Sequence, residues 1–317
     1  MPRPPLPPGP YVVVGLARSG VAAALALRAR GEEVIGCDAG TGQDPLLAAA
    51  AQRLSERGVE VHLDASGDVF AARAGTLIKS PGVPQEEATV VAARRRGIPV
   101  LGELELGWRL LPGPFVAVTG TNGKTTTTEW IGHIHREAGL PVEVVGNVGT
   151  AVSSLVGRGI DPSSTIVCEA SSFQLEDTEL FAPEGAVLLN LSEDHLDRHA
   201  SYDAYVAAKL RIFAHQRPED VAVLPPDLEL DISGRARQVR YGSGPELELA
   251  GEIGLPGEHN RQNGLAAAAL CLAWGLGPEA VARGLRTFRG VAHRLELVRT
   301  LDGVAWINDS KATNVGS

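Results

Sequence analysis

Short apolar runs, rich in β-branched residues, alternate with Ala- and Leu-rich stretches along the first third of the chain. The run YVVVG at residues 11–15 stops at a glycine, and the next stretch has helical composition, so a strand, a turn and a helix are predicted. The predicted strands are residues 11–15, 33–37, 59–62, 76–79 and 98–101, and the predicted helices are 21–30 and 86–96. This alternation is typical of an α/β fold, and we predict a Rossmann-like N-terminal domain over residues 1–111.

The Pro- and Gly-rich segment at residues 111–114 interrupts the helical pattern and is predicted to be a linker. A second α/β series follows it, and we predict a central domain over residues 112–290. Its predicted strands are residues 115–118, 165–168 and 186–190 with two more near Val142 and Val221, and its predicted helices are 126–138, 201–215 and the Ala-rich 264–276. Beyond residue 291 the pattern predicts a hairpin, 293–298 and 304–307, that turns at Asp302-Gly303.

Length and composition narrow the class of protein. With 317 residues the chain is long enough for two domains, and its 44% hydrophobic and 21% charged residues are ordinary for a globular protein. The 29 basic and 38 acidic residues give a formal net charge of −9, which disfavours a general nucleic-acid binder. The apolar stretches are shorter than the roughly 20 residues that a membrane span needs. We therefore expect a soluble protein that binds neither nucleic acid nor a membrane.

The N-terminal sequence MPRPPLPPGP has no apolar core, so we interpret it as a disordered Pro-rich leader and not as a signal peptide. Three widely spaced cysteines without a CxxC pair fit a reducing compartment and favour neither a disulfide framework nor a zinc site. These residues are Cys37, Cys168 and Cys271. We expect a cytoplasmic protein that keeps its cysteines in the core.

Lysine is rare in this chain. Only Lys79, Lys124, Lys209 and Lys311 occur among the 29 basic residues, so Arg supplies the ordinary surface charge. Arg cannot replace Lys where a compact or chemically modifiable amine is needed. The four lysines are therefore candidate sites of chemistry.

The turn after the first predicted strand reads GLARSG at residues 15–20, and Asp38 lies at the tip of the second strand. This layout is typical of dinucleotide-binding folds, but Ala17 replaces the middle glycine of G-x-G-x-x-G and hinders the close approach of a pyrophosphate. The turn therefore leaves three interpretations open. It could bind NAD(P) in an oxidoreductase, it could bind another nucleotide, or it could have only a structural role.

A second glycine-rich loop follows the apolar run at 115–118 and leads into a helical stretch. Backbone N–H groups of such a loop cradle phosphates; Lys124 would reach the β- and γ-phosphate oxygens and Thr125 would bind Mg²⁺. The strict P-loop pattern fails, because Val118 stands where its first glycine belongs. The order of strand, loop and helix favours an ATP site over a solvated turn, and its residues are Gly120, Thr121, Asn122, Gly123, Lys124, Thr125 and Thr126.

Charged residues follow the next two predicted strands. Glu169 ends the strand 165–168, where a magnesium ligand belongs, although a single Glu is a weak signal. His195 lies in a charged cluster after the strand 186–190 and is a candidate metal ligand or part of a surface loop. Lys209 follows on the next helix, where an ammonium would repel Mg²⁺. Addition of CO₂ would convert its amine into an anionic oxygen ligand, and a solvated Lys is the alternative.

The order and spacing of eight segments resemble the Mur ligase family from residue 11 to the end of the chain. The segments are GTNGKT (120–125), GNVG (146–149), EASSFQLE (169–176), DHLDR (194–198), AK (208–209), HN (259–260) with Asn263, HRLE (293–296) and NDSKATN (308–314). Within the family, SSFQLE and the short first domain are similar to the members that add D-glutamate. A ligase that adds diaminopimelate or lysine is the alternative within the family.

The resemblance implies an ATP-dependent amide ligase of peptidoglycan precursor synthesis. Such an enzyme transfers the γ-phosphoryl group of MgATP to the carboxylate of UDP-N-acetylmuramoyl-L-alanine, and the amine of D-glutamate then attacks the acyl phosphate. The resemblance also implies two Mg²⁺ ions and a carbamylated lysine as cofactors, and we expect a monomer.

The resemblance further implies roles for individual residues. The catalytic residues would be Lys124, Glu169, His195 and Lys209. Thr125 and Glu169 would bind the first Mg²⁺ ion, whereas His195 and carbamylated Lys209 would bind the second. The nucleotide would further contact Asn263, Arg294 and Asp309. Substrate contacts would come from Arg18, Ser19, Asp38, Ser80, Pro81, Gly82, Asn147, Ser171, Gln174, Lys311 and Thr313.

Two features depart from the family pattern. After Asp38 the chain has Ala39 and Gly40, where relatives carry polar side chains toward the diphosphate, so backbone N–H groups are expected to replace them. The family also has a third α/β domain that carries the D-glutamate site, and residues 291–317 resemble only its start. We therefore expect this chain to bind its UDP substrate and ATP without turning them over.

Overall fold

The computed structural model describes residues 3–147, 149–194, 198–294 and 296–310. Within these ranges the strands form two parallel sheets, of five and six strands, and one antiparallel hairpin. The predicted α/β fold with two successive parallel sheets is confirmed. Among the described residues, no helix is both long and apolar enough to cross a membrane.

The first sheet has the strand order β3-β2-β1-β4-β5, which is the order of a Rossmann fold without its sixth strand. Its strands are β1 (Tyr11–Val14), β2 (Val34–Asp38), β3 (Glu60–Leu63), β4 (Thr76–Lys79) and β5 (Val100–Gly102). The helices between and after these strands are α1 (Arg18–Ala29), α2 (Pro45–Ser55), α3 (Asp68–Ala71), α4 (Ala88–Arg95) and α5 (Glu103–Leu110). Alternate residues of β1 pack into two different cores, so both faces of the sheet are covered.

The second sheet has the strand order β11-β10-β9-β6-β8-β7. Its strands are β6 (Phe115–Thr119), β7 (Val142–Gly146), β8 (Thr165–Glu169), β9 (Gly185–Leu188), β10 (Val221–Leu224) and β11 (Arg237–Arg240). Its helices are α6 (Lys124–Glu137), α7 (Ser172–Glu176), α8 (Tyr202–Leu210), α9 (Glu258–Ala273) and α10 (Pro278–Thr287). Because β6 lies between β8 and β9, the loops after these three strands meet at one edge of the sheet.

Buried charged residues connect the two sheets. Lys79 at the end of β4 donates to Asp177 after α7 over 2.7 Å, and both side chains are 1% exposed. The Glu103 carboxylate accepts hydrogen bonds from the backbone N–H and the hydroxyl of Ser153, each at 2.6 Å. Such contacts fix orientation more than they add stability. The rarity of lysine made Lys79 a candidate site of chemistry. In the structure, its ammonium forms this ion pair between the two sheets.

The prediction of a disordered leader is wrong for residues 3–10, which pack across both sheets. The Arg3 guanidinium lies 4.7 Å from the ring centre of Trp108 and donates to the Glu184 carboxylate and to the Gly113 carbonyl. The Thr76 hydroxyl donates to the Pro8 carbonyl. A proline-rich segment forms few hydrogen bonds within itself. Here, groups that are distant in sequence but close in the fold bond to the segment instead.

The remaining sequence predictions differ from the structure mainly at element ends. The hairpin is confirmed as β12 (Glu296–Leu301) and β13 (Val304–Asn308), which turns at Asp302 and Gly303 with positive φ at both residues. The helix predicted over 201–215 ends at Leu210, because the chain continues in turns. The predictions did not include β11 or the helices α2, α3, α5, α7 and α10.

Candidate functional site

The phosphate loop, residues 120–125, connects β6 to the start of α6. Gly123 precedes the helix with φ +85°, and no side chain caps the first N–H groups of α6. A Cβ atom at Gly123 would lie 2.2 Å from Asn263 Oδ1, so a side chain there would displace Asn263 and would have to adopt a left-handed backbone. An uncapped helix start behind a glycine turn presents N–H donors and the positive end of the helix dipole, which together bind anions.

Two lysine ammonium groups converge on one carbonyl oxygen of this loop. Lys124 Nζ donates to the Gly120 carbonyl over 3.0 Å and to the Thr121 carbonyl over 2.8 Å. Lys209 Nζ, on α8, donates to the same Gly120 oxygen over 2.8 Å and is 1% exposed. Burial, together with the positive charge of the neighbouring Lys124, lowers the pKa of Lys209 to about 7. Burial also lowers the pKa of Lys124. Two cations so close together favour an anionic ligand.

Glu169 ends β8 beside the phosphate loop, as its position in the sequence predicts. Its Oε2 accepts a hydrogen bond from the Thr125 hydroxyl over 2.7 Å, and its Oε1 lies 3.3 Å from Asn147 Nδ2. A hydroxyl and a carboxylate are hard oxygen donors of the type that Mg²⁺ prefers. In the described part of the chain, no three His, Cys, Asp or Glu side chains gather as a metal site. Any site here therefore needs other donors beside Glu169.

Two residues hold the phosphate loop from behind. Asn190, after β9, accepts from the Asn122 N–H over 2.9 Å and donates to the Asn122 carbonyl over 3.1 Å. The Tyr205 hydroxyl, on α8, lies 2.9 Å from Thr121 Oγ1. The Tyr205 ring also lies 4.5 Å from Lys209 Nζ. These contacts fix the backbone of the phosphate loop.

A large cavity of about 1190 Å³ opens next to the phosphate loop. Four of the residues in its wall belong to the predicted nucleotide set: Asn122, Gly123, Thr126 and Asn263. Arg294, also predicted, lies in the wall as well, whereas Asp309 is not among the described residues that line it. The cavity has the volume of a nucleotide-sized ligand site.

A small cavity of about 460 Å³ lies where the first sheet meets the second. Eight predicted substrate residues line it: Arg18, Ser19, Asp38, Ser80, Pro81, Gly82, Asn147 and Gln174. Arg18 Nη2 donates to the Asn147 carbonyl over 3.1 Å and so connects its two sides. Ser171 lies just behind this wall, where its hydroxyl caps α7 and bonds Gln174. The structure thus brings together most of the substrate residues that the sequence suggested.

Asp38 is engaged by the backbone around the first glycine turn. Its carboxylate accepts from Leu16 N–H and from Gly40 N–H, each over 2.7 Å. The Gly40 N–H, which was expected to replace a missing polar side chain, is thus directed at Asp38. Three predicted site residues, His195, Lys311 and Thr313, lie outside the described residues.

Sequence reasoning did not assign a role to Asn190, Tyr205 or Tyr241. Tyr241 lines the large cavity and donates its hydroxyl to the Leu189 carbonyl over 2.6 Å. The position of Asn190 at the end of a predicted strand was a usable signal. The two tyrosines lie far from the loop in sequence, and only the packing of α8 and β11 brings them to it.

Comparisons with known proteins agree with this geometry. Residues 118–242 match the model of the Mur ligase middle domain. The curated UDP-N-acetylmuramoylalanine–D-glutamate ligase of Pelotomaculum thermopropionicum is 42% identical over 96% of this chain and 72% of its own length. The Acidobacterium capsulatum protein of the same name is 40% identical over 96% of this chain and 71% of its own length.

Solved structures agree at the level of the fold. The UDP-N-acetylmuramate-alanine ligase MurC from Thermotoga maritima superposes with a TM-score of 0.54 at 21% identity, covering 95% of this chain and 74% of that one. A UDP-N-acetylmuramate:L-alanyl-gamma-D-glutamyl-meso-diaminopimelate ligase from Neisseria meningitides gives 0.59 at 20% identity, covering 89% of this chain and 98% of that one. From the identity to curated relatives over nearly its whole length, we conclude that the chain belongs to the UDP-N-acetylmuramoylalanine–D-glutamate ligase family of the Mur ligases.

Proposed function

We propose that this chain carries the ATP site and the UDP-substrate site of a ligase that joins D-glutamate to UDP-N-acetylmuramoyl-L-alanine in peptidoglycan precursor synthesis. The observation that carries the proposal is the convergence of Lys124, Thr125, Glu169 and Lys209 on the phosphate loop, beside a nucleotide-sized cavity. Family membership supports the reaction type, because the curated relatives carry this name.

ATP would bind with its phosphates on the phosphate loop and its base in the large cavity. Lys124 would leave the carbonyls of Gly120 and Thr121 and contact the β- and γ-phosphate oxygens, which are stronger acceptors. Asn263 packs directly against Gly123, so the base would lie next to the loop, and Arg294 would approach the nucleotide from the other wall.

The residues present fit Mg²⁺. Thr125 Oγ1 and Glu169 Oε2 lie 2.7 Å apart at the carboxyl end of the central strands, and both are hard oxygen donors. When bound, the ion would neutralise charge on the transferring phosphoryl group. We assign Thr125 and Glu169 to the first ion, and His195 with modified Lys209 to a second.

Lys209 would carry a carbamate in the working enzyme. Its amine is buried beside a second ammonium, and in the described part of the chain no carboxylate lies within ion-pairing distance of it. Addition of CO₂ to the neutral amine releases one proton and leaves an anionic carbamate, which would turn cation–cation repulsion with Lys124 into attraction. Lys79, by contrast, is paired with Asp177.

The UDP substrate would occupy the small cavity, with its alanyl carboxylate directed toward the phosphate loop along Asn147. The carboxylate oxygen attacks the γ-phosphorus, the bond to the β-phosphate oxygen breaks and ADP leaves. The amine of D-glutamate then attacks the acyl phosphate; phosphate leaves, a proton is released and an amide forms. Lys124 would hold the transferring group, whereas Asp309, Lys311 and Thr313 would serve the nucleotide and the incoming amino acid.

We further propose a cytoplasmic monomer, because all three cysteines are free and buried, as fits a reducing compartment, and both cavities are formed within one chain. Size-exclusion chromatography with light scattering tests the monomer. The oxidoreductase alternative finds no support at the first glycine turn, since Asp38 is already bonded to two backbone N–H groups.

Binding to the chain tests the proposal. Isothermal titration with AMP-PNP and Mg²⁺, with UDP-N-acetylmuramoyl-L-alanine and with NADH should give one site each for the first two ligands and none for NADH. Saturating NADH binding, or no binding of the UDP substrate, would refute the assignment. ¹³C-bicarbonate NMR should show a carbamate signal that Lys209→Arg removes and Lys311→Arg retains.

A further inference from the structure

A row of aromatic side chains connects the helix at the small cavity to the phosphate loop. His199 stacks on Phe173 of α7, with ring centres 5.2 Å apart and an angle of 8° between the rings. Its other side meets Tyr205 edge-on at 5.4 Å and 64°. Tyr205 in turn contacts the phosphate loop, with its hydroxyl 2.9 Å from Thr121 Oγ1. The row thus runs from α7 through His199 to the loop.

His199 is also tied to α7 by a polar contact. Its Nε2 lies 2.9 Å from the Ser172 hydroxyl, and the imidazole is only 5% exposed. Two residues further along α7, Gln174 lines the small cavity. A shift of the His199 ring would therefore move groups at both cavities.

The first-domain loop joins the same row. The Arg198 guanidinium lies over the Phe173 ring at 4.7 Å, and its nitrogens approach the carbonyls of Pro81 and Gly82 at 3.5 Å. Pro81 and Gly82 line the small cavity. The stack on Phe173 therefore lies between the first-domain wall of the small cavity and the phosphate loop.

We propose that His199 is a positioning residue that holds the phosphate loop and the α7 wall of the small cavity in one geometry, so that the phosphoryl donor and its acceptor are aligned. His199 is not among the described residues that line either cavity, so it would act through Tyr205 and Ser172. The inference rests on the proposed function, because it takes ATP and the UDP substrate as the ligands of the two cavities.

His199 makes two contacts, one with Ser172 of α7 and one with Tyr205, and substitutions can remove them separately. His199→Phe retains an aromatic ring between Phe173 and Tyr205 but removes the Ser172 contact, so AMP-PNP affinity should stay near wild type and UDP-substrate affinity should fall. Tyr205→Phe removes only the hydroxyl at Thr121, so the opposite pattern is expected. His199→Ala removes both contacts and should weaken both ligands about five- to tenfold, since aromatic pairs and single hydrogen bonds each contribute about 1 kcal/mol.

The experiment is isothermal titration of the 317-residue chain and these variants with AMP-PNP and Mg²⁺ and with UDP-N-acetylmuramoyl-L-alanine, with melting temperatures recorded in parallel. The exposed His215→Ala is the matched control and should leave both affinities unchanged. Equal weakening of both ligands in His199→Phe, or no weakening in His199→Ala, would overturn the proposal while leaving the two sites intact. Failure of the unmodified chain to bind either ligand would instead refute the proposed function, and the inference with it.

Discussion

Two glycine turns follow the central strands of the two sheets, and they differ in how their polar groups are satisfied. In the first turn, after β1, Asp38 accepts from the N–H groups of Leu16 and Gly40, and the Ser80 hydroxyl donates to the Gly15 carbonyl. This turn is closed by the protein's own acceptors and donors. Its helix start has a basic residue, Arg18, at the surface.

The phosphate loop after β6 is built in the opposite way. The ammonium groups of the buried Lys209 and the partly buried Lys124 share the Gly120 carbonyl, whereas neither α6 nor α1 has a side-chain cap. Positive charge concentrated in this way is costly without an anion. The same strand–turn–helix architecture thus serves as a wall of a cavity in one sheet and as a phosphate site in the other, and the local charge decides which.

The largest effect is expected from Lys124→Ala, which removes a buried cation from the phosphate loop. AMP-PNP affinity should fall about a hundredfold, because hydrogen bonds to charged groups contribute about 1.5–3 kcal/mol each. UDP-substrate affinity should not change. Arg18→Ala is the matched variant of the first turn and should show the reverse. Isothermal titration measures both, and loss of UDP-substrate binding in Lys124→Ala would contradict the division of roles.

Alanine substitutions in the two turns should separate stability from binding. A Cβ at Gly20 would lie 1.8 Å from the Gly15 carbonyl, a backbone atom that cannot move aside, so Gly20→Ala should lower the free energy of unfolding by about 3 kcal/mol. A Cβ at Gly123 meets the mobile end of Asn263, so Gly123→Ala should cost about 1–2 kcal/mol from its left-handed backbone and mainly weaken AMP-PNP binding.

Urea unfolding monitored by circular dichroism gives these free energies. Gly251→Ala, where a Cβ meets no atom within 4 Å, is the neutral control. These values imply that the backbone is packed more tightly around Gly20 than around Gly123. A Gly123→Ala variant with a lower free energy of unfolding than Gly20→Ala would contradict this.

Glu169→Gln should sharpen the comparison at the metal. The substitution keeps the shape but weakens the donor to a cation, so the gain in AMP-PNP affinity on adding Mg²⁺ should shrink about tenfold. Affinity measured in EDTA should change little. The exposed Glu219→Gln is the control, and an undiminished Mg²⁺ effect in Glu169→Gln would place the ion elsewhere.

The smallest effect concerns the buried Glu103, whose carboxylate accepts hydrogen bonds from Ser153. Burial raises the pKa of Glu103 above its ordinary value of 4.5. Between the unfolded and the folded pKa, the folded state binds more protons, so this group makes the free energy of unfolding fall as pH rises. The stability of Glu103→Gln relative to the unmodified chain should therefore increase as pH rises from about 4.5.

Urea unfolding at a series of pH values checks this, with exposed Glu86→Gln as the charge control. If the difference in free energy of unfolding between Glu103→Gln and the unmodified chain does not change with pH, the pKa of Glu103 is the same in the folded and unfolded states.

The features that depend on residues adjacent in sequence were predicted from the sequence. The β-branched run before GTNGKT and the helical stretch after it predicted the phosphate loop, and Glu169 at the end of β8 followed from the strand pattern. The convergence of Lys124 and Lys209 on one carbonyl could not be read from either segment, because it depends on how the fold places α8 beside the phosphate loop. The rarity of lysine nevertheless pointed to both residues.

Tertiary contacts explain where sequence reasoning failed. The Pro-rich leader is ordered at residues 3–10 because Trp108, Glu184 and Thr76 happen to supply partners far along the chain. Lys79 pairs with Asp177 across the two sheets for the same reason. Partners of this kind carry no signature in the surrounding sequence.

The most direct test of the central claim is a crystal structure of this chain with AMP-PNP, Mg²⁺ and UDP-N-acetylmuramoyl-L-alanine. The account predicts the γ-phosphate on residues 120–125 within hydrogen-bonding distance of Lys124, the metal on Thr125 and Glu169, and the UDP group between Arg18, Asp38 and Ser80. A nucleotide triphosphate bound instead at the turn of residues 15–20, or a UDP group in the large cavity, would contradict it.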